Sequence, residues 1–311
     1  MQKINDMNLQ TKVDIPKSTW QIQHTDKVML LGSCFADEVG QQFVRGGFDA
    51  LVNPFGTLYN PASIAAMLLR CISEKECTEV FEDQQGIWHS WMHHSKFSAS
   101  SKEELQANIN AQTLLASDYL RSCDVLIITF GTAIIYRLKE NGMLVANCHK
   151  QLDSLFTRER LSAYDIVDQW QMLIQLLQSI NPKLRIIFTV SPIRHKRDGY
   201  HINNISKGIL LEAVDSLAPQ APAQMVNGKS VNGTSYIVNR KCTYFPSYEI
   251  MLDELRDYRF YADDMIHPSP LAVQYIWERF QDTYFSPSTR DAILKANKEY
   301  ARSQHREIVK K

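Results

Sequence analysis

Residues 27–54, KVMLLGSCFADEVGQQFVRGGFDALVNP, decide the fold class. Residues 27–31 form a short apolar run stopped at Gly32, and Phe35, Val39, Phe43 and Val44 then recur on one helix face up to Gly46 and Gly47. Residues 48–52 make a second short apolar run, stopped by Asn53 and Pro54. A strand, a tight turn, a helix and another strand in so short a stretch form the unit from which parallel sheets are built.

Working outward, the alternation continues. Pro61 opens a helix to about Arg70, and residues 124–130 (DVLIITF) are continuously apolar and β-branched, as in a strand covered on both faces. Residues 135–138 and 143–147 flank Asn141-Gly142, a strong turn signal, which predicts a β-hairpin insertion. Leu161, Tyr164, Ile166, Trp170, Leu173, Ile174 and Leu177 fall on a helical stripe, and residues 184–190 (LRIIFTV) form another buried strand closed by Ser191-Pro192. A helix over 205–217, a loop over 218–223, a last strand within 235–245, a helix over 269–284 and a polar helical tail from 289 to 311 complete the pattern.

Composition narrows the function classes. The 311 residues carry 34 basic and 34 acidic side chains, so there is no net field to attract nucleic acid or an anionic membrane. Apolar residues at 44% and charged ones at 22% exclude a disordered or fibrous chain. No apolar run approaches eighteen residues, and the opening residues have no export-signal pattern. Six scattered cysteines (34, 71, 77, 123, 148, 242) without a CxxC pair read as free thiols of a cytoplasmic protein.

In an open parallel sheet, ligands bind beyond the carboxyl ends of the strands, which directs attention to the turns at Gly32, Asn53, Gly131 and Ser191 and to the segment before His267. Ser33, where a strand hands over to a helix, has an exposed position and nearby amides for an oxyanion; a helix-capping serine would stand in the same place. Asp264-Met265-Ile266-His267 can set a carboxylate beside its own imidazole across a turn, although the adjacent Asp263 leaves the choice of carboxylate open. The chain order Ser, Asp, His then supplies a nucleophile, an orienting acid and a general base.

Gly32-Ser33-Cys34-Phe35-Ala36 spells GSCFA, and the chain resembles the GSCFA-domain family, itself similar to a branch of the SGNH/GDSL hydrolases. NPFGTLYNP (53–61), NCHK (147–150), SPIRH (191–195) and YFPSYEIMLDELRDYRFY (244–261) extend the resemblance over about residues 20–285, leaving 286–311 as the tail. It implies a three-layer α/β/α sandwich around a flavodoxin-like parallel sheet, with Ser33 on the serine block and Asp264 and His267 on the terminal block. The family pattern would place an oxyanion-binding asparagine at position 133, where this chain has Ala133. The donors expected instead are the Ser33 amide and Gly56, helped by Thr132 or Asn53.

Substrate contacts are expected from Trp88, His89 and Trp91 in an insertion over 73–119, which would fold across the Ser33 edge as an aromatic platform; a structural cap is the alternative. Arg194 and His195, after the fourth strand, could meet a substrate carboxylate or phosphate, or pair with Asp198. Asn147 and His149 complete the set. His89, His93 and His94 have no acidic or cysteine partner at ligand spacing, so neither a metal nor another cofactor is expected. The reading is a serine esterase acting on a small-molecule or carbohydrate ester; acyl transfer by the same triad and a non-catalytic carbohydrate- or peptide-binding module are the alternatives.

Overall fold

In the computed structural model, which describes residues 11–219, 225–226, 229–230 and 241–309, the opening unit is β1 (Val28–Gly32), α1 (Cys34–Arg45) and β2 (Ala50–Val52). There follow α2 (Pro61–Ser73), β3 (Val80–Glu82), β4 (Trp88–Ser90), α3 (Lys102–Ser122), β5 (Val125–Phe130), β6 (Ile134–Leu138), β7 (Leu144–Val145), β8 (Phe156–Arg160) and α4 (Ala163–Ile180). The chain continues through β9 (Arg185–Val190), α5 (Tyr200–Leu217), the short ladder of β10 (Met225–Val226) with β11 (Lys229–Ser230), and β12 (Cys242–Phe245). One turn of α6 (Ser247–Glu249) runs into a π-helical turn over Ile250–Leu255, and α7 (Pro270–Tyr284) and α8 (Pro287–Val309) close the described chain.

Five strands form a parallel sheet in the order β12-β9-β5-β1-β2. Counted by their turn in the chain the order is 2-1-3-4-5, the flavodoxin-like arrangement, whose switch point lies between β1 and β5. Every residue of β1 and β5 is buried, which is why both read as unbroken apolar runs. The helices between the strands cover both faces of the sheet. One face packs α2, α4, α5 and the end of α3 on Met29, Leu31, Leu126, Ile128, Ile186 and Phe188. The other packs α1 and α7, with Ile293 of α8, on Val28, Leu30, Val125, Ile127 and Ile187.

Gly32 is the hinge of the opening unit. Its φ is +148°, and a Cβ there would lie 2.3 Å from the Thr129 carbonyl oxygen, so only glycine lets β1 turn into α1 while still paired with β5.

Three details differ from the sequence reading. The 73–119 stretch is only partly an excursion: α3 is a framework helix whose Ala116 and Leu120 enter the main core, and of residues 74–101 Met92 alone packs into that core. The hairpin around Asn141-Gly142 gains β8 and becomes a three-stranded antiparallel sheet, because β6 pairs with both neighbours. The last strand is Cys242–Phe245; the expected positions 235–240, most of the 218–223 loop and the last two residues of the tail lie outside the described residues. The tail's first turns are packed, with Ile293 in the core and the Thr289 hydroxyl donating to the Ile22 carbonyl at 3.2 Å.

Candidate active site

Ser33 sits on the turn between β1 and α1, and it caps the helix: its Oγ accepts the Phe35 amide at 3.3 Å. The bond is long and uses only a lone pair, so capping leaves the hydroxyl proton available for donation. The side chain is buried at the positive end of α1. Next to it Cys34 shares a hydrogen bond of 3.3 Å with the Tyr59 hydroxyl.

Asp264 and His267 come together as a pair. His267 Nδ1 donates to Asp264 Oδ2 at 2.6 Å, while Asp264 Oδ1 accepts the amides of Ile266 at 2.8 Å and His267 at 3.0 Å. The backbone bond from His267, then its imidazole, then the Ile266 amide hold the Asp264 carboxyl down to about 2. The anion fixes the tautomer, leaving the Nε2 lone pair as acceptor. Asp264, and not Asp263, is thus the partner.

Arg194 fastens this loop to the end of β9. Its amide donates to the Ile266 carbonyl at 3.3 Å, its guanidinium donates to the Met265 carbonyl, and the guanidinium lies 4.4 Å from the Tyr261 ring centroid and 5.1 Å from that of Tyr200. Arg194 therefore holds the His267 loop rather than pairing with Asp198, whose carboxylate is taken by Arg158. No hydrogen bond joins Ser33 to His267 among the described residues.

Beside Ser33 lies a cluster around Gly131. Lys207 of α5 is wholly buried, and its Nζ donates to the carbonyls of Gly131 and Ser191, both at 2.6 Å, tying the ends of β5 and β9. Burial lowers its ammonium to about 7. A Cβ on Gly131 would lie 3.3 Å from His195 Nε2 and 3.4 Å from Ser33 Cβ, so the imidazole and the serine flank one glycine. Burial first, then the Lys207 charge, pushes the His195 imidazole down to about 3. Asn203 Oδ1 accepts the His195 amide at 3.0 Å and fixes its backbone.

The expected oxyanion donors are otherwise engaged. The Gly56 amide donates to the Asn53 carbonyl at 2.8 Å. Asn53 accepts the Gly32 amide on Oδ1 at 2.9 Å and donates from Nδ2 to Asp37 at 2.8 Å, so its side chain braces the nucleophile turn. The Thr132 amide donates to the Tyr59 carbonyl at 2.8 Å, while its hydroxyl meets Ser206 at 3.1 Å and accepts the Ile134 amide. The Ser33 amide makes only a 3.4 Å bond to the Thr129 carbonyl and is the least committed of the four.

A cleft of about 700 Å³ is lined by Tyr59, whose ring stands edge-on to His195 at 5.8 Å and so borders this cluster. Its walls include Thr57, His94, Tyr136, Asn147, His149 and Lys150. The two excursions build it together: Trp91 stacks on Phe81 at 3.7 Å and packs with Leu138, Val145 and Phe156, and its carbonyl accepts the amides of Ala146 and Asn147.

The tryptophan platform is not formed. Trp91 is the core joining the two excursions, and Trp88 packs on the cluster of Cys77, Leu105 and Ile109 with Lys102 over its ring, because so small a unit must bury its largest apolar side chains to hold together. His89 bonds Ser98 at 2.6 Å and Asp83 at 3.0 Å, which removes it from the substrate set. His93 bonds Ser90 and His94 accepts the Lys96 amide, so the three imidazoles of this segment take separate partners. Asn147 and His149 do face the cleft; His149 also hydrogen-bonds the Ser90 carbonyl at 2.8 Å. Lys207 and Tyr59 were not singled out in the sequence, although a lysine on the buried stripe of Asn203, Ser206, Leu210, Ala213 and Val214 is a legible anomaly.

The family model described as "GSCFA family" matches residues 27–280. No curated protein matches the chain. Among solved structures, one from Streptococcus pneumonia provisionally identified as a platelet activating factor is 11% identical, with a TM-score of 0.40 over 83% of each chain. A carbohydrate esterase family 3 protein from Talaromyces cellulolyticus is 12% identical, with a TM-score of 0.36 over 87% of this chain and 99% of its own. An acetyl xylan esterase from the rumen bacterium Butyrivibrio proteoclasticus is 14% identical, with a TM-score of 0.35 over 87% of this chain and 64% of its own. The fold assignment rests on the strand order. Among the described residues no helix is long and apolar enough to cross a membrane.

Proposed function

Because the chain belongs to the GSCFA family, whose signature stands at residues 32–36, we propose that it is a serine esterase of the SGNH type. The observation that carries this reading is the 2.6 Å bond between His267 Nδ1 and Asp264 Oδ2, on a loop that Arg194 ties to the carboxyl end of β9. An imidazole held in one tautomer by an ionised carboxylate, at the sheet edge that also carries a serine on a strand-to-helix turn, is the equipment for acyl transfer through a covalent intermediate.

In this reaction Ser33 Oγ attacks the ester carbonyl carbon while its proton passes to His267 Nε2. The tetrahedral intermediate collapses, and the alcohol leaves with that proton. Water then attacks the acyl-serine by the same route, and Ser33 regains its proton. The Asp264 carboxylate stays ionised throughout and stabilises the imidazolium formed in each half.

The cleft supports an alcohol part rich in hydroxyls, such as an O-acylated carbohydrate, since Thr57, Ser95, Asn147 and Gln151 line it beside the ring of Tyr136. Transfer to a second alcohol in place of water would use the same residues. Six unpaired thiols suit a reducing compartment such as the cytoplasm.

Intact-mass analysis after exposure to a fluorophosphonate tests the reading. One adduct is expected, mapped to Ser33 and absent from Ser33→Ala, together with loss of hydrolysis of an aryl acetate. A folded alanine variant that keeps its esterase activity would remove the assignment.

A further inference from the structure

The oxyanion needs a side-chain donor that Ala133 cannot give, and three of the four donors expected to replace it are committed to neighbouring carbonyl or side-chain oxygens. Among the described residues, one buried polar atom at the same place makes no hydrogen bond: His195 Nε2. It stands 3.3 Å from the point a Cβ would occupy on Gly131, and Ser33 Cβ stands 3.4 Å from that point. A buried donor left unpaired costs free energy, and in a native structure it calls for an explanation. A carbonyl oxygen of an ester held at Ser33 would supply that partner.

We infer that His195 donates from Nε2–H to the carbonyl oxygen of the bound ester, replacing the side-chain donor missing at position 133. The inference rests on Ser33 being the nucleophile. As Ser33 Oγ bonds to the carbonyl carbon, the π electron pair moves onto the carbonyl oxygen, and His195 hydrogen-bonds that oxyanion while keeping its own proton. The Ser33 proton goes to His267 and later leaves with the alcohol, so His195 undergoes no net change.

Three neighbours suit it to this role. The Gly131 carbonyl favours a proton on the ring and also accepts Lys207 Nζ at 2.6 Å, while His195 Nε2 meets no hydrogen-bond geometry among the described residues and can turn to a ligand oxygen. Burial first, and then the Lys207 charge, disfavours a second proton, so the imidazole is neutral at working pH. The Asn203 bond to the backbone amide and the edge-on Tyr59 ring hold it in place before substrate arrives, and such preorganisation makes a donor effective.

The test compares wild type, His195→Ala and His195→Gln in two assays, aryl acetate hydrolysis and the rate of fluorophosphonate labelling at Ser33. His195→Ala should lower kcat by about 10²–10³-fold with KM little changed, and slow labelling in parallel, because the phosphonyl oxygen uses the same donor. His195→Gln, which keeps an N–H but cannot act as a base, should recover to within about tenfold of wild type. Glutamine as inactive as alanine, or an alanine variant with unchanged kcat, would overturn the inference while labelling of wild-type Ser33 still upheld the esterase reading. A wild type that is neither labelled nor active would remove both.

Discussion

Lys207 Nζ bridges the carbonyls of Gly131 and Ser191, the two residues that follow the central strands β5 and β9. Neither carbonyl continues a ladder there, and a buried acceptor without a partner is costly, so a long side chain from α5 reaches under the site to satisfy both. An uncharged amine still has N–H donors for the two carbonyls, which allows the group to shed its proton without losing either bond.

That burial makes stability depend on pH. Lys207 is lowered to about 7 in the folded chain from an ordinary value of 10.5, so between those limits the unfolded chain binds more protons and raising the pH favours folding. The cost of the buried charge is fully present below about 7 and gone above the ordinary lysine range. Wild type should therefore gain about 3 kcal/mol relative to Lys207→Met between pH 7 and 9.5, read from urea midpoints. Parallel curves for the two proteins would show that Lys207 does not titrate in that window.

The carboxylate assignment has a direct test in the two adjacent aspartates. Asp264→Asn should lower kcat by about 10³–10⁴-fold through loss of the correct imidazole tautomer, whereas Asp263→Asn, exposed and unbonded to the ring, should stay within about twofold. Because the Asp264 carboxyl is held down to about 2, no loss of activity above pH 3 should trace to its protonation. Comparing the pH–rate profiles of the wild type and both variants checks this.

Asn53 separates scaffold from chemistry. It joins the Gly32 amide to Asp37, sewing the turn after β2 to the turn that carries Ser33. Asn53→Ala should cost about 1–3 kcal/mol by leaving the buried Gly32 amide and the half-buried Asp37 carboxylate without their partner. A thermal melt run beside steady-state kinetics distinguishes this from a donor role, since an oxyanion donor would lose kcat with the melting temperature intact.

The sheet was legible because strands buried on both faces are mostly apolar, as Val125–Phe130 and, after Arg185, the rest of β9 are. Ser33, Asp264 and His267 were legible because each relies on a local turn: a glycine hinge for the serine and an i to i+3 contact for the pair. α3 was missed although Ser101 and Glu104 mark its start, because a weak stripe of Leu105, Ile109, Thr113 and Ala116 lies among polar residues. The roles of Arg194 and His195 are non-local. Tyr261, which holds Arg194, and Gly131, which His195 faces, each lie more than sixty residues away in the chain, and only the closed fold brings them together.

His93 makes the protein sensitive to acid. It is buried, with Nδ1 on the Ser90 hydroxyl at 2.8 Å, and burial lowers its imidazole to about 3 from 6.5. As pH falls below 6.5 the unfolded chain takes up a proton that the folded chain refuses, so this contribution to stability is lost progressively down to about 3. At pH 4.5 the loss should reach about 2–3 kcal/mol, and His93→Asn should show a flatter decline between pH 7 and 4.5. Equal slopes in thermal melts would show that another group governs acid unfolding.

Trp91 decides whether the excursions are scaffold or substrate surface. Its ring is 8% exposed, stacked on Phe81 and enclosed by Leu138, Val145 and Phe156, so it contributes apolar packing between the β3–β4 hairpin and the β6–β7–β8 sheet. Trp91→Ala should destabilise by about 3–5 kcal/mol. Because the two units set the cleft walls at Asn147 and His149, kcat/KM should fall for a bulky acylated sugar and, by a similar factor, for a small aryl acetate as the folded fraction drops. Trp91→Phe should restore most of the melting temperature and, with it, both activities. A loss confined to the bulky substrate, with an unchanged melting temperature, would mean that the ring contacts the sugar and that the packing contributes little.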